Sequence, residues 1–529
     1  MSRKEREAVL ARDIPDEMFT FAQADETLHD KKLETKPVSF FRDAWRRFSK
    51  NKSSIVGMVI IVVLMLFSFL TPLFSRYKTT DTFGFYSKAL PKLSASFDLG
   101  FWNGTKKATQ SKATYQYYLA MGAESGNNAV VKTYKEYTVT TTVAGTEKVS
   151  AMVDFRLDSY RAVGYEFLLL SKEEYKALQA YQNETGIQVL YPVPNTSKTG
   201  LGDKMFDVNE ANYWYATYPS GERKGEAKLD ENGNFIPLYL RGKDSGYDSL
   251  RIAGDPGIED PNSAQGYRYG KIMQGGYYQV RVCYYDYFVY KYGFEPAFVF
   301  GANGSGQDLM VAIASGTRFS LLLGLCVAVI NFLIGGVYGA IEGYYGGVTD
   351  LVMERISDIL NGVPFMVVAT LFNLHLASKV GVVPSLFFAF VLTGWIGMAS
   401  TVRMQFYRYK KQEYVLAART LGAKDSRIIL KHIYPNALGT LVTSMALSIP
   451  SIVFSESMLS YLGIIQLDDL TKGMTSLGTL LSNGKNSLST YPHIILFPSL
   501  VISLLMISFN LFGNGLRDAF NPSLRGSED

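Results

Sequence analysis

The chain has 529 residues, too many for one ordinary core, so at least two structural units are expected. Hydrophobic residues make up 47% and charged residues 19%, a lean toward a membrane protein, and a net charge of +5 gives no reason to expect nucleic-acid binding. Two cysteines, Cys283 in a polar stretch and Cys326 in an apolar one, argue against a disulfide framework, and the four histidines include no sequence-close pair of the kind a metal site uses.

Residues 1–37 mix both charge signs without a helical or strand period and read as a mobile or loosely docked cytosolic tail. In Phe40–Lys52, FFRDAWRRFSKNK, five basic residues precede an apolar stretch. Ile55 to Leu73 then holds no charge and is long enough to cross a bilayer as a helix, which takes about 20 residues. Basic residues before it and few after it place the N-terminus in the cytosol. A cleaved signal peptide fits poorly, because the apolar stretch starts too late and is too long.

From Tyr77 to Phe300 the chain changes character. No segment there is apolar enough to span a bilayer, and most of the 35 tyrosines fall in it. AVVKTYKEYTVTTTV and YYQVRVCYYDYFVYKY carry strand-like runs of β-branched and aromatic residues. Ser171 with Glu174 forms a capping box opening a short helix that Gly186 closes, and Asp230–Asn234 (DENGN) reads as a turn. The expectation is a folded polar domain, α+β or mainly β, outside the cell. It contains no histidine and no Gly–x–Ser–x–Gly elbow, which argues against a hydrolase. Its aromatic surplus reads either as core or as a tyrosine-lined patch that meets a substrate-delivering protein.

Apolar runs return at Phe319–Ala340, Val363–Leu376, Pro384–Ala399, Leu438–Leu462 and Ile494–Phe512, making six spans with both termini cytosolic. Gly381 and Pro384 mark a tight outer turn between the third and fourth. The basic cluster from Arg403 through Lys410, Lys411, Arg419 and Lys424 to Lys431 then falls in a cytosolic loop, as the charge rule demands. Gly335, Gly336, Gly339 and Gly343 stand at small-residue spacing that admits a neighbouring helix. Glu456 lies inside the fifth span, where an ionisable group either lines a path or hydrogen-bonds a neighbouring helix. SLGTLLSNGKNS (Ser476–Ser487) has the wrong glycine spacing for a phosphate loop, so ATP hydrolysis is expected on other subunits.

The loop between the fourth and fifth spans, Gln412–Gly439, is the most informative segment. Tyr414, Ala417, Ala418 and Leu421 follow i, i+3, i+4, i+7 on one helix that Gly422 stops in a left-handed cap. Asp425 or Ser426 is placed to cap a second helix ending near Pro435. A helix–turn–helix sewn between two membrane spans argues for docking to a protein partner rather than to DNA.

AARTLG followed by Pro435 resembles the EAA loop of bacterial ABC-importer permeases, with Leu416 where a Glu is usual. AWRRFSKNKSSIVG, FGANGSGQDLM, SGTRFSLLLG, GYYGG, SESMLSYLG and FNLFGNGLRDAFNP are similar, in order, to stretches of the C-type permease of the oligopeptide/dipeptide/nickel group. Asn303, Gln307 and Asn514 depart from its pattern. The resemblance covers about residues 40–76 and 300–522 and leaves the intervening domain without a counterpart.

It implies an all-α membrane domain of six helices of the type I ABC importer permease kind, with an inserted extracytoplasmic α+β or mainly β domain. The expected organisation is a cytosolic tail and basic segment (1–53), a first span (54–76), the inserted domain (77–305), a five-helix permease core (306–516) with a coupling loop (403–437), and a cytosolic tail (517–529). The resemblance further implies a bacterial plasma-membrane protein that is not an enzyme. Its expected partners are a homologous second permease, two ATPase subunits, an extracellular substrate-binding lipoprotein and membrane lipid, with no nucleic acid. No cofactor is expected on this chain, since ATP and Mg would be bound by the ATPase subunits. Glu413, Tyr414, Ala417, Ala418, Leu421, Gly422 and Pro435 are the expected coupling residues, and Glu456 is a candidate for the path or for helix packing. Two alternatives stay open: a permease for nickel or another small solute, and a membrane-anchored surface receptor.

Overall fold

The computed structural model describes residues 40–94, 102–143, 146–199, 213–242, 246–249, 266–469 and 472–520. The expectations for residues 1–37 and for the last nine residues lie outside this set.

The chain enters through α1 (Phe40–Lys50) and α2 (Lys52–Phe74), separated only by Asn51. The Asn51 side chain accepts hydrogen bonds from the amides of Ser53 (3.1 Å) and Ser54 (3.4 Å), capping α2. Twenty-three residues at 1.5 Å each give α2 about 35 Å, enough to cross the hydrocarbon layer.

The inserted region is a mixed α/β domain. Strands β1 (Thr105–Ser111), β2 (Val130–Val143) and β3 (Thr146–Asp158) form an antiparallel sheet in the order β1-β3-β2. Helix α3 (Lys112–Ser125) covers it. A second sheet is built around β8 (Tyr278–Cys283), which pairs with β4 (Tyr165–Leu170), β5 (Leu190–Tyr191) and β7 (Gly270–Ile272), with β6 (Tyr247–Asp248) beyond β7. Helix α4 (Lys172–Thr185) opens on the expected capping box, with the Ser171 amide 2.8 Å from Glu174 and the Glu174 amide 3.2 Å from Ser171 Oγ.

One sequence expectation changes here. YYDYFVYKY is not strand but helix α5 (Tyr284–Tyr292), closed by Gly293 at φ +75. Tyr284, Tyr285 and Phe288 are its buried residues, so tertiary packing of one helical face overrides the β preference of the aromatics. Of the two readings open for the tyrosines, core packing accounts for Tyr86, Tyr160, Tyr165, Tyr175, Tyr191 and Tyr215, which are fully buried. At the centre Arg281 is enclosed by the rings of Tyr165 (3.7 Å) and Trp214 (4.5 Å) and pairs with Glu124 at 3.1 Å, which is how a buried cation is tolerated.

Two strips root this domain in the membrane part. Lys92 N donates to Phe298 O (2.8 Å), Ala302 N to Ala89 O (2.9 Å) and Phe83 N to Gly306 O (3.0 Å). Asp308 then caps α6 (Leu309–Tyr345) through the Val311 amide at 3.0 Å. At 37 residues α6 measures about 55 Å, well beyond a bilayer's hydrocarbon, so it projects from the membrane.

The remaining helices are α7 (Gly347–Asn361), α8 (Phe365–His375), α9 (Val382–Tyr409), α10 (Glu413–Thr420), α11 (Tyr434–Tyr461), α12 (Leu477–Gly484) and α13 (His493–Phe520). Among the described residues five helical runs are long and apolar enough to cross a membrane, and α7 with α8, bent by 70°, makes up to a sixth. The expected third span, Val363–Leu376, is therefore only the second half of a broken one. Alone, the 11 residues of α8 reach about 16 Å. The break falls at Gly362–Val363–Pro364, where Pro364 supplies no amide for helical bonding.

Helix α9 lies along α6 because glycines leave no side chain between them. A Cβ on Gly335 would stand 2.6 Å from Trp395 O, and one on Gly343 would stand 2.8 Å from Arg403 O. Helix α13 returns beside α2, with Gly57 facing Ser508 O, and its far end packs Ala519 against Ala44 and Phe48 of α1. Both described chain ends thus share the side of α10, and the inserted domain occupies the other end of α6.

Candidate functional site

The site is built where α6 and α9 end and the chain turns into α10. Val415 is fully buried and packs with Ile428 and Ile433, which pins α10 onto the following segment. The opposite face is left bare: Tyr414 is 41% exposed, Leu416 46% and Leu421 87%, with Glu413 and Ala417 exposed and Ala418 half-buried. Gly422 adopts φ +82, and the Ala423 amide reaches back to Ala418 O at 3.0 Å, closing the helix in the expected left-handed cap.

Two local expectations are corrected. Asp425 caps nothing; its Oδ1 accepts the Tyr344 hydroxyl at 2.6 Å, tying the loop to the end of α6. Pro435 does not end a helix. Ile428–Ile433 forms a π-helical turn that runs straight into α11, and Pro435 sits at the start of the α-helical part. The widened turn has room for a ring that would collide with the preceding carbonyl in a regular helix. Asp425–Tyr461 is consequently one continuous 37-residue run from the exposed loop into the membrane.

An ion network stands above α10. The Arg403 guanidinium grips Asp350 through Nε–Oδ1 (2.6 Å) and Nη2–Oδ2 (2.8 Å), and Glu354 at 2.8 and 3.1 Å. Such two-pronged pairing fixes orientation as well as charge. Tyr407 donates to the same Asp350 carboxylate at 2.5 Å, Lys410 donates to Gly343 O at 2.7 Å, and Arg419 of α10 reaches the Tyr344 hydroxyl at 3.3 Å. Helices α6, α7, α9 and α10 are thereby joined at one point. Sequence reading counted Arg403 only as a topology charge and missed Tyr344, Asp350 and Glu354. Acidic residues recurring at Asp350, Glu354 and Asp358 beside an apolar run were the available signal.

Glu456 is apart from this cluster. It is fully buried, and its carboxylate accepts from Ser320 and Ser460, each at 3.0 Å, and from Ser457 at 3.4 Å. Its hydroxyl partners lie on α6 and on its own helix α11, so the carboxylate joins the two helices.

The model described as "Binding-protein-dependent transport system inner membrane component" matches residues 333–526, and "N-terminal TM domain of oligopeptide transport permease C" matches residues 39–91. The Bacillus subtilis oligopeptide transport system permease protein OppC is 42% identical over 226 residues, 43% of this chain and 72% of that one. The dipeptide transport system permease protein DppC of the same organism is 39% identical over 227 residues, 43% of this chain and 69% of that one. The MetNI methionine ABC transporter in its inward-facing conformation is similar at 15% identity and a TM-score of 0.32, over 40% of this chain and 97% of that one. With the greater part of its relatives' length matched at such identity, and the two family segments in their order on either side of an inserted domain, the chain belongs to the binding-protein-dependent transport permeases, of the oligopeptide permease C type.

Proposed function

We propose that this chain forms half of the membrane path by which a bacterial importer takes up peptides, with ATP hydrolysis on partner subunits that grip α10. The observation that carries the reading is the bare face of Tyr414, Ala417 and Leu421, pinned from behind by Val415 at the basic end of the membrane helices, which the charge rule assigns to the cytosol. Small and apolar residues on an anchored helix suit insertion into a groove on another protein. The names of the relatives support peptide as substrate.

In this mechanism two ATPase subunits close on ATP and displace α10. Val415 and the Tyr344–Asp425 bond pass the displacement to α6, and the continuous Asp425–Tyr461 helix carries it into the membrane. The π-turn is where such a helix flexes. A second, homologous permease completes the path, and an external binding lipoprotein delivers the substrate to the side of the inserted domain. ATP and Mg stay with the ATPases.

The test is uptake of a labelled peptide by a strain carrying the importer with wild-type chain or with Leu421→Asp. Wild-type uptake with loss in the variant supports the reading. Uptake that persists at the wild-type rate in Leu421→Asp contradicts it.

A further inference from the structure

We infer that a hydroxyl-lined chamber between α6, α9 and α11 is this chain's wall of the substrate path, holding a peptide by its backbone amides and not by charge. The inference rests on the peptide-import reading above. The chamber has a volume of about 440 Å³. Ser444, Ser448, Ser451 and Ser455 of α11 all line it, at the 4-3-4 spacing that puts them on one helical face. Thr393 and Thr401 face them from α9.

Hydroxyls alone do not make a site, because in a helix they bond their own backbone: Ser448 Oγ donates to Met445 O (2.7 Å) and Thr401 Oγ1 to Gly397 O (2.9 Å). The pointer to a ligand is Asn331 of α6. It lines the chamber, is only 7% exposed, and its Oδ1, covered in this structure, has no hydrogen-bond partner in the protein, so a turn of the side chain is what would present it to the chamber. A buried carboxamide oxygen without a partner is costly, and more so at membrane depth, where water is scarce. Gly394 of α9, also on the lining, keeps space for it: a Cβ there would run into the Asn331 amide nitrogen.

Asn331, Gly394 and Ser448 each stand near the middle of their helix, so the chamber lies away from both ends of these spans. A carboxamide offers a donor and an acceptor side by side, the complement of a peptide bond. None of the lining residues is Asp, Glu, Lys, Arg or His, so a charged side chain or a divalent metal ion finds no counter-charge there. The chemistry therefore fits the repeated neutral backbone of an extended peptide of any sequence, and does not fit a nickel ion.

The test uses the whole importer reconstituted in vesicles with its binding protein. Asn331→Ala should lower uptake of a labelled peptide about fivefold, the worth of one buried hydrogen bond, with subunit co-purification unchanged. A peptide bearing backbone N-methyl groups should be taken up more slowly by wild type, and Asn331→Ala should narrow that difference. Wild-type uptake in Asn331→Ala overturns the inference. Should the variant fail to assemble, a benzophenone-bearing peptide photo-crosslinked to the wild-type complex decides: attachment within 390–401 or 444–455 supports the chamber, and attachment only elsewhere overturns it. If the wild-type importer takes up no peptide at all, it is the peptide reading that fails. Normal uptake with an indifferent Asn331 rejects the chamber alone.

Discussion

At the scale of single residues, the decisive feature is how fully Arg403 is partnered where α6, α7 and α9 meet. Arg403 answers Asp350 and Glu354 together, and its side chain is 23% exposed. Arg403→Ala leaves the carboxylates of Asp350, Glu354 and Glu342, the last 3.6 Å from the guanidinium, facing one another; discounted for that exposure, the loss should be about 1–3 kcal/mol. The expected result is a lower melting temperature in detergent and weakened coupling of ATP hydrolysis to uptake. Arg403→Lys should restore little, since an ammonium cannot reproduce two forked contacts. Glu166 in the inserted domain makes a different prediction. Burial pushes its carboxyl up to about 8, with Oε2 lacking a partner. The folded state then holds a proton that the unfolded chain releases near the ordinary carboxylate value. Stability contributed by this group is full below the unfolded pKa and falls as pH rises toward 8, after which the whole cost is present. Glu166→Gln should flatten the pH dependence of domain melting between pH 5 and about 8; an unchanged slope would show that Glu166 is not the group responsible.

At the scale of elements, α10 is a lever with one face anchored and one face open. Leu421→Asp touches only the open face, so the chain should keep its melting temperature while co-purification with its ATPases falls at least about tenfold, as loss of a buried interface anchor does. Val415→Asp strikes the anchored face and should lower stability as well as assembly. If both variants bind ATPases normally, α10 is not the docking element. Much of this element was legible in the sequence. The i, i+3, i+4, i+7 recurrence of Tyr414, Ala417, Ala418 and Leu421 located the open face, and Gly422 located its end. What periodicity hid was the direction of Val415, one step off that face, and the partner of Asp425, which lies 81 residues away at Tyr344. The same limit explains α5, whose aromatics look like strand until the surrounding core selects a helix. It also explains the break at Pro364, because an apolar run reads the same whether straight or bent.

At the scale of the whole molecule, two units share one chain, with the inserted domain at the start of α6 and α10 beside its end. The permease core was readable from its apolar runs and its charge asymmetry, because lipid imposes length and composition on every crossing. The inserted domain was readable as folded and polar but not as two sheets, since its strands pair across long separations, as β4 does with β8. On the proposed reading the binding protein meets this domain and the ATPases meet α10, and a displacement at Asp425 would pass along the continuous Asp425–Tyr461 helix to the Ser-lined wall.

The most direct test of that arrangement is sidedness. In a Cys326→Ser background, with Cys283 buried, single cysteines at Leu421 and at the exposed Tyr134 are challenged with a membrane-impermeant maleimide. The arrangement predicts that intact cells label the cysteine at 134 and spare the one at 421, and that inside-out vesicles reverse the pattern. Labelling of the cysteine at 421 in intact cells would contradict it.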